Sequence, residues 1–250
     1  MIGQMKLIND DCLDYMKTME DNSVDLTFTS PPYNMNLAVN KNNEYIKKTD
    51  KNHKFRFKYS NDADNMTMEE YYEFTKTVLD SLLRVSNIVF YNIQFLTGNK
   101  RALFRIMGDY NEYLKEVVVW DKSWAAPAMN AGVLSSRFEL ILIFTKYNAI
   151  KRTFDKYNFD RGTLQNIWKV KRQTSKLKGH GAVFSEDLCR LIIENFTHEK
   201  DVLFDPFMGS GTLGVVAKQT NREFIGIERD KEYYDFATER INNTQTGLFW

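Results

Sequence analysis

Two short segments of this chain bring together residue types that chemistry needs at close spacing. The first is Thr29-Ser30-Pro31-Pro32-Tyr33-Asn34. Its prolines fix φ and supply carbonyls with no competing N–H. The Ser30 oxygen and the Pro31 carbonyl can both accept hydrogen bonds from one amino group. An amine conjugated to a ring is a poor nucleophile, because its lone pair is delocalised. Two acceptors aimed at its protons pull the nitrogen toward a tetrahedral state and free that pair, which is preorganised electrostatic catalysis. Tyr33 offers a ring on which a base can stack, worth about 1–3 kcal/mol. A rigid turn without chemistry is the plainer reading of the same residues.

The second segment is Asp205-Pro206-Phe207-Met208-Gly209-Ser210-Gly211-Thr212. It follows an expected strand and opens an expected helix. Gly209 and Gly211 allow a tight turn and a close ligand approach. Glu228 ends the next strand, where a carboxylate can accept from both ribose hydroxyls of a nucleoside cofactor. Gly209, Gly211 and Gly214 also satisfy the dinucleotide pattern G-x-G-x-x-G, with Glu228 at the expected distance. Too little chain follows residue 202 for a full dinucleotide domain, however. Asp205 would repel a pyrophosphate. It suits a sulfonium or an ammonium instead.

The elements that must position these turns can be read from periodicity. Strands are expected at Lys6–Asn9, Val24–Thr29, Ile88–Tyr91, Glu116–Trp120, Leu140–Phe144, Val202–Phe204 and Glu223–Ile227. Helices are expected at Asp14–Thr18, Met68–Arg84, Lys100–Met107, Ser185–Phe196, Leu213–Lys218 and Lys231–Ile241. Thr67 and Glu70 form a capping-box pattern, and Ser185 is a candidate N-cap. The alternation argues for an α/β fold, a mostly parallel sheet with helices on both faces. The 250 residues fit a single domain, with 36–66 a basic loop and 147–180 polar, basic and aromatic without clear periodicity. No apolar run is long enough to span a bilayer. The two cysteines, Cys12 and Cys189, lack metal-ligand spacing, so no metal is expected. A net charge of +1 does not announce a nucleic-acid partner, but the two basic stretches could line a phosphate-binding cleft or be solvated loops.

Together the two motifs resemble those of the β-group amino-methyltransferases of DNA, the N4-cytosine/N6-adenine family, in which the catalytic motif precedes the cofactor motif. The resemblance covers most of the chain. It implies the Rossmann-like methyltransferase fold with circularly permuted motif order, and S-adenosylmethionine as cofactor, leaving S-adenosylhomocysteine. Ser30, Pro31, Pro32 and Tyr33 would be catalytic. Cofactor contacts are expected from Asp11, Cys12, Ser30, Phe184, Asp205, Pro206, Phe207, Gly209, Ser210, Gly211, Thr212, Glu228 and Arg229. Ser136-Arg137-Phe138-Glu139 resembles the segment lining the base pocket. The family's prolines after the histidine and the aromatic near residue 184 are Gly181 and Ser185 here.

Family members with Ser before Pro-Pro-Tyr mostly methylate cytosine N4, and those with Asp mostly adenine N6. Ser30 therefore points to cytosine N4, with adenine N6 the alternative. Methylation at cytosine carbon 5 would need a nucleophilic cysteine in a context that neither Cys12 nor Cys189 has. The target base would be flipped out of the duplex. Residues 147–180 lie where the family holds its target-recognition region, and Asn34, Lys54, Arg56, Arg137, Lys169, Lys171 and Arg172 are the expected DNA contacts. The partner implied is double-stranded DNA, in a bacterial, archaeal or phage-encoded cytoplasmic enzyme. Family members are often homodimers, and a cognate restriction endonuclease acting on the same site belongs to the same expectation. An RNA or protein methyltransferase, a catalytically weak DNA-binding protein, and an NAD-dependent enzyme are the rival readings.

Overall fold

The computed structural model describes residues 3–35, 66–125, 131–173 and 184–247. Strands β1 (Met5–Ile8), β2 (Val24–Thr29), β3 (Ser86–Ile93), β4 (Leu114–Asp121), β5 (Phe138–Phe144), β6 (Ile167–Lys169), β7 (Val202–Asp205) and β8 (Glu223–Ile227) alternate with helices α1 (Cys12–Lys17), α2 (Met68–Val85), α3 (Lys100–Asp109), α4 (Glu186–Phe196), α5 (Thr212–Gln219) and α6 (Lys231–Asn242). The strands form one sheet in the order β1-β8-β7-β2-β3-β5-β4-β6. Strand β5 runs antiparallel to β3 and β4, while the other pairings are parallel.

The strands are apolar on both sides, and their alternation divides the core in two. Ile141 and Ile143 of β5 face one layer, with buried residues of α4, α5 and α6. Leu142 and Phe144 face the other, with α1, α2 and α3. Helices on both faces are what such continuous apolar strands require.

The parallel neighbours β2 and β7 pair through Leu26↔Leu203 and Thr27↔Phe204. From β7 the chain moves through α5 to β8 on one side, and from β2 through α2 to β3 on the other. The connections part here, which opens a crevice at the carboxyl ends of both strands. The two sequence motifs are the turns leaving those ends. The half-sheet beyond β7 is completed by β1 pairing with β8, so the start and end of the chain build it together.

The local signals for helix ends hold unevenly. Thr67 and Glu70 form the full reciprocal capping box of α2. Ser185 occupies the N-cap of α4, but its side chain makes no capping bond. Gln173 Oε1 accepts from the Glu186 N–H at 3.0 Å instead, so a neighbouring loop caps this helix. Strand β3 extends two residues beyond the expected strand at each end, which brings Asn92 into the sheet. Strand β5 begins at Phe138 and so includes Glu139.

The segment 147–173 also departs from expectation. Ile167–Lys169 form a short strand on β4, with Trp168 buried opposite Trp120. Residues nearer 150 belong to the amino-terminal edge of the sheet, away from the two turns. There Lys156 pairs with Asp25 at 2.8 Å and Asp201 at 2.9 Å, and Asn158 bonds the last carbonyls of α4 and Thr197.

Candidate active site

The turn after β2 is held from its outer side. Tyr71 Oη of α2 donates to the Pro32 carbonyl at 2.9 Å. Asn99 Nδ2 donates to the Tyr33 carbonyl at 2.6 Å. Asn34 is fully buried with φ of 52°, a left-handed conformation that Asn tolerates better than most residues. Its Nδ2 donates to the Met66 and Gly98 carbonyls, and its Oδ1 accepts from the Met66 N–H. Both ends of its amide are committed to the fold. Asn34 is a brace rather than the expected DNA contact, which corrects that assignment. The Pro31 carbonyl makes no hydrogen bond with the described residues, so this turn keeps one backbone acceptor for a ligand.

Inside the turn, Ser30 Oγ donates to Tyr33 Oη at 2.8 Å, and Tyr33 Oη donates to Glu139 Oε2 at 2.8 Å. Asn92 Nδ2 donates to both Tyr33 Oη and Glu139 Oε2, each at 2.7 Å. Lys122 Nζ closes the group on Glu139 Oε1 at 3.1 Å. Lys122 and Glu139 are mostly buried, with side chains 7% and 12% exposed, so each charge depends on the other. Asn92 Oδ1 is buried without a partner among the described residues. That cost of order 1–3 kcal/mol accompanies the clamp its amide group makes. Burial, with the Glu139 charge beside it, holds the Tyr33 phenol well above its usual range. Sequence reading missed Asn92 and Lys122 and took Glu139 only as lining the base pocket.

The second turn lies across the crevice. Asp205 is buried, and its Oδ1 accepts from Thr29 Oγ1 at 2.7 Å and from the Phe207 N–H at 3.1 Å. Among the described residues Oδ2 has no partner. Burial pushes the carboxyl up to about 7 despite those bonds, with Glu228 adding to the rise. Such a group gains from a cation placed beside it. Gly209 (φ 51°) and Gly211 (φ 74°) turn the chain into α5. The Gly209 N–H donates to Glu228 Oε2 at 2.9 Å, and the Asp230 N–H to Glu228 Oε1 at 2.8 Å. Glu228 is thereby oriented at the end of β8, and burial raises its pKa from the usual value. Arg240 of α6 braces the turn from beneath through the Ser210 carbonyl, Thr212 Oγ1 and Glu186.

Both turns open on one cavity of about 270 Å³. Ser30, Pro31, Pro32 and Tyr33 line it on the β2 side, and Asp205, Pro206, Phe207 and Glu228 on the other. Gly209, Ser210, Thr212 and Arg229 complete that second wall. Asp11 and Cys12 form the floor near α1. Asp11 also caps α1 through the Leu13 N–H at 2.9 Å, so it serves the helix as well. Burial pushes the Cys12 thiol up to about 12, so it is a packed thiol and not a nucleophile. Phe184 lines the cavity while stacked on Phe28, centroids 4.2 Å apart. Gly211 does not line the cavity. A Cβ there would meet Ala237 and Ile241, so its place is set by helix packing.

Of the expected DNA contacts, Arg172 reaches the cavity wall. Lys169 and Lys171 are exposed beside it. Arg137 is half exposed and paired with Asp121 through two bonds of 2.6 Å. Lys54 and Arg56 lie outside the described residues. Among the described residues no group of His, Cys, Asp and Glu could hold a metal ion, and no helix is long and apolar enough to cross a membrane.

The cavity therefore offers a buried carboxylate for a cation, a second carboxylate for paired hydroxyls, and acceptors at Ser30 and Pro31 that meet no donor among the described residues. Comparison with known proteins points the same way. The sequence model N6_N4_Mtase, described as DNA methylase, matches residues 24–239. The type II methyltransferase M.HpaI of Haemophilus parainfluenzae is 28% identical, over 97% of this chain and 76% of its own length. The type II methyltransferase M2.DpnII of Streptococcus pneumoniae is 27% identical, over 96% of this chain and 90% of its own. Among solved structures, the cytosine-N4-specific PvuII DNA methyltransferase superposes with a TM-score of 0.69 at 19% identity, covering 97% of this chain and 88% of that one. M1.HpyAVI in complex with SAM superposes with a TM-score of 0.61 at 21% identity, covering 95% of this chain and all of the other.

Proposed function

From the premise that this chain belongs to the N6/N4 DNA methylase family, whose sequence model spans residues 24–239, we propose that it transfers a methyl group from S-adenosylmethionine to cytosine N4 of a flipped base in duplex DNA. The observation that carries the reading is the pairing of two turns on one cavity. Ser30 and the Pro31 carbonyl lie on one wall, Asp205 and Glu228 on the other.

The donor set fits the cofactor. Glu228, fixed by two backbone N–H groups, suits the ribose hydroxyls, and the buried Asp205 suits the ammonium or sulfonium charge. When bound, the cofactor supplies an electrophilic methyl carbon. The protein's share is positioning and polarity. Ser30 Oγ already spends its hydrogen on Tyr33, so its lone pairs face outward as acceptors. With the Pro31 carbonyl it draws on the two N–H bonds of the amine. The bracing by Tyr71, Asn99 and Asn34 fixes that geometry before substrate arrives, and proximity supplies further acceleration. Ser30 is the reason for preferring cytosine over adenine, by likeness to family members with Ser at this place.

Arg172, which lines the cavity, and the exposed Lys169 and Lys171 near it in sequence form the proposed phosphate-contacting rim. Double-stranded DNA is the partner, and the type II relatives suggest a restriction endonuclease of the same site, in a bacterial cytoplasm. Incubation with methyl-labelled cofactor and either duplex DNA or RNA tests the reading. Label is expected in the duplex, and label confined to RNA or protein would overturn it.

A further inference from the structure

The hydrogen bonds around Tyr33 have a direction. Ser30 Oγ gives its hydrogen to Tyr33 Oη, which gives its own to Glu139 Oε2. Both ends of this chain of bonds, Ser30 and Glu139, line the cavity, and the carboxylate is held near the start of β5. Two further donors converge on its end, Asn92 Nδ2 on Oε2 and Lys122 Nζ on Oε1. Asn92 also donates to Tyr33 Oη, which leaves that hydroxyl one hydrogen to give and one place to send it. The residues come from the β2 turn, β3, β5 and the end of β4, so the line is built by the tertiary fold.

We propose that Ser30, Tyr33 and Glu139 form a proton relay that carries away the proton lost by the amine during methyl transfer. The inference rests on the methyltransferase reading above and adds to it the fate of the proton. The amine nitrogen uses its lone pair to form the N–C bond, as the C–S bond breaks and its pair returns to sulfur. The nitrogen is then cationic and strongly acidic. It gives one proton to Ser30 Oγ, while the Ser30 hydrogen passes to Tyr33 Oη and the Tyr33 hydrogen to Glu139 Oε2. The products are a neutral secondary amine and a carboxylic acid at Glu139, with no other reactant needed. Three hydrogens move, and Ser30 and Tyr33 end as they began.

A continuous line of hydrogen bonds suits this better than a free base would. The Tyr33 phenol is held protonated by burial, so it can pass a proton on but does not rest as an anion. Lys122 Nζ, 3.1 Å from Glu139 Oε1, places a cation beside the carboxylate that receives the proton. Ser30 touches the substrate in this scheme. Tyr33 and Glu139 act through it, as positioning and accepting groups. Glu139 also lines the cavity, and its Oε2 already accepts from Tyr33 Oη and Asn92 Nδ2, so the ordered hydrogen-bonded path from Ser30 to it runs through Tyr33.

The test compares wild type with Tyr33→Phe, Glu139→Gln and Glu139→Asp. Tyr33→Phe keeps the ring and leaves the Glu139–Lys122 pair intact, so it covers the case in which Glu139→Gln disturbs folding. Single-turnover methyl transfer is followed in mixtures of light and heavy water, and cofactor binding is measured by calorimetry. A low-field hydroxyl resonance is sought by NMR in the protein without cofactor. The expected result is a bowed dependence on deuterium fraction in wild type. Tyr33→Phe and Glu139→Gln should slow transfer by about 10²-fold or more, leave the cofactor dissociation constant within a few-fold, and abolish the bowing and the resonance. Glu139→Asp should recover part of the rate. A linear dependence in wild type would overturn the relay. So would slowed variants that keep the bowed dependence, or a Glu139→Gln enzyme of wild-type rate. A wild type that methylates no DNA would instead refute the function it rests on.

Discussion

Replacing Asp205 with Asn should strengthen the free protein while weakening cofactor capture. Asp205 is buried, and burial lifts its carboxyl from 3.8 to about 7. The sign follows from proton counting. Between those values the folded protein holds a proton that the unfolded chain has lost, so stability falls as pH rises through the interval. Above pH 7 the full cost of the buried charge is present. An interval of about three units at 1.36 kcal/mol each gives about 4 kcal/mol. Asn is close to isosteric, and its Oδ1 can accept the same bonds from Thr29 and Phe207. At pH 8 Asp205→Asn should therefore gain up to about 4 kcal/mol, which for a chain of this size raises Tm by about 8 °C or more. Near pH 4 the two proteins should melt together. Cofactor affinity should fall by about 10- to 100-fold, the worth of a hydrogen bond to a charged group. Thermal melting from pH 4 to 8, with calorimetric titration of S-adenosylmethionine, reads both effects. A variant less stable than wild type at pH 8, or a difference that does not change with pH, would refute the reasoning.

Other residues give sharper local checks. Tyr71→Phe removes the donor to the Pro32 carbonyl, so it should cost about 0.5–1.5 kcal/mol in denaturant melts and slow single-turnover transfer about tenfold through a looser turn. Gly214→Ala would put a methyl 2.5 Å from Ile241 Cδ1 and 2.6 Å from Phe224 Cε1; overpacking of about 1–3 kcal/mol should appear as a lower Tm, and an unchanged Tm would contradict that packing. Reversing Lys169, Lys171 and Arg172 should weaken DNA binding and flatten its logarithmic salt dependence by about 0.9 per lost phosphate contact, as read by fluorescence anisotropy. Lys156→Ala, at the opposite edge of the sheet, should leave that dependence alone and cost less than about 1 kcal/mol of stability.

What sequence could and could not reveal follows the range of each interaction. The capping box of α2 is written in residues 67–70, and the structure forms it as read. The strand–turn–helix at Asp205 is equally local. Strand β6 was not legible, because three residues carry no period and its pairing to β4 joins positions far apart in sequence. The same is true of the group around Tyr33. Asn92, Lys122 and Glu139 have no common motif, and only the β3-β5-β4 order brings them together. Asn34 misled by its place next to Tyr33. Its type did carry a signal, since Asn is among the few residues that accept a left-handed backbone. Charge misled in another way. The stretch 151–172 is basic throughout, but Lys156 pins the amino-terminal edge of the sheet whereas Arg172 reaches the cavity. Composition records charge and cannot say which end of a strand bears it.

The central claim is methylation of an exocyclic amine held between Ser30 and the Pro31 carbonyl. Nuclease digestion of duplex DNA treated with the protein and S-adenosylmethionine, followed by mass spectrometry of the nucleosides, tests it most directly. N4-methylcytosine is the expected product, with Ser30→Ala lowering its formation far more than it lowers cofactor affinity. N6-methyladenine would correct the base and keep the amine chemistry. Methyl groups on ring carbon, or none in DNA at all, would contradict the account.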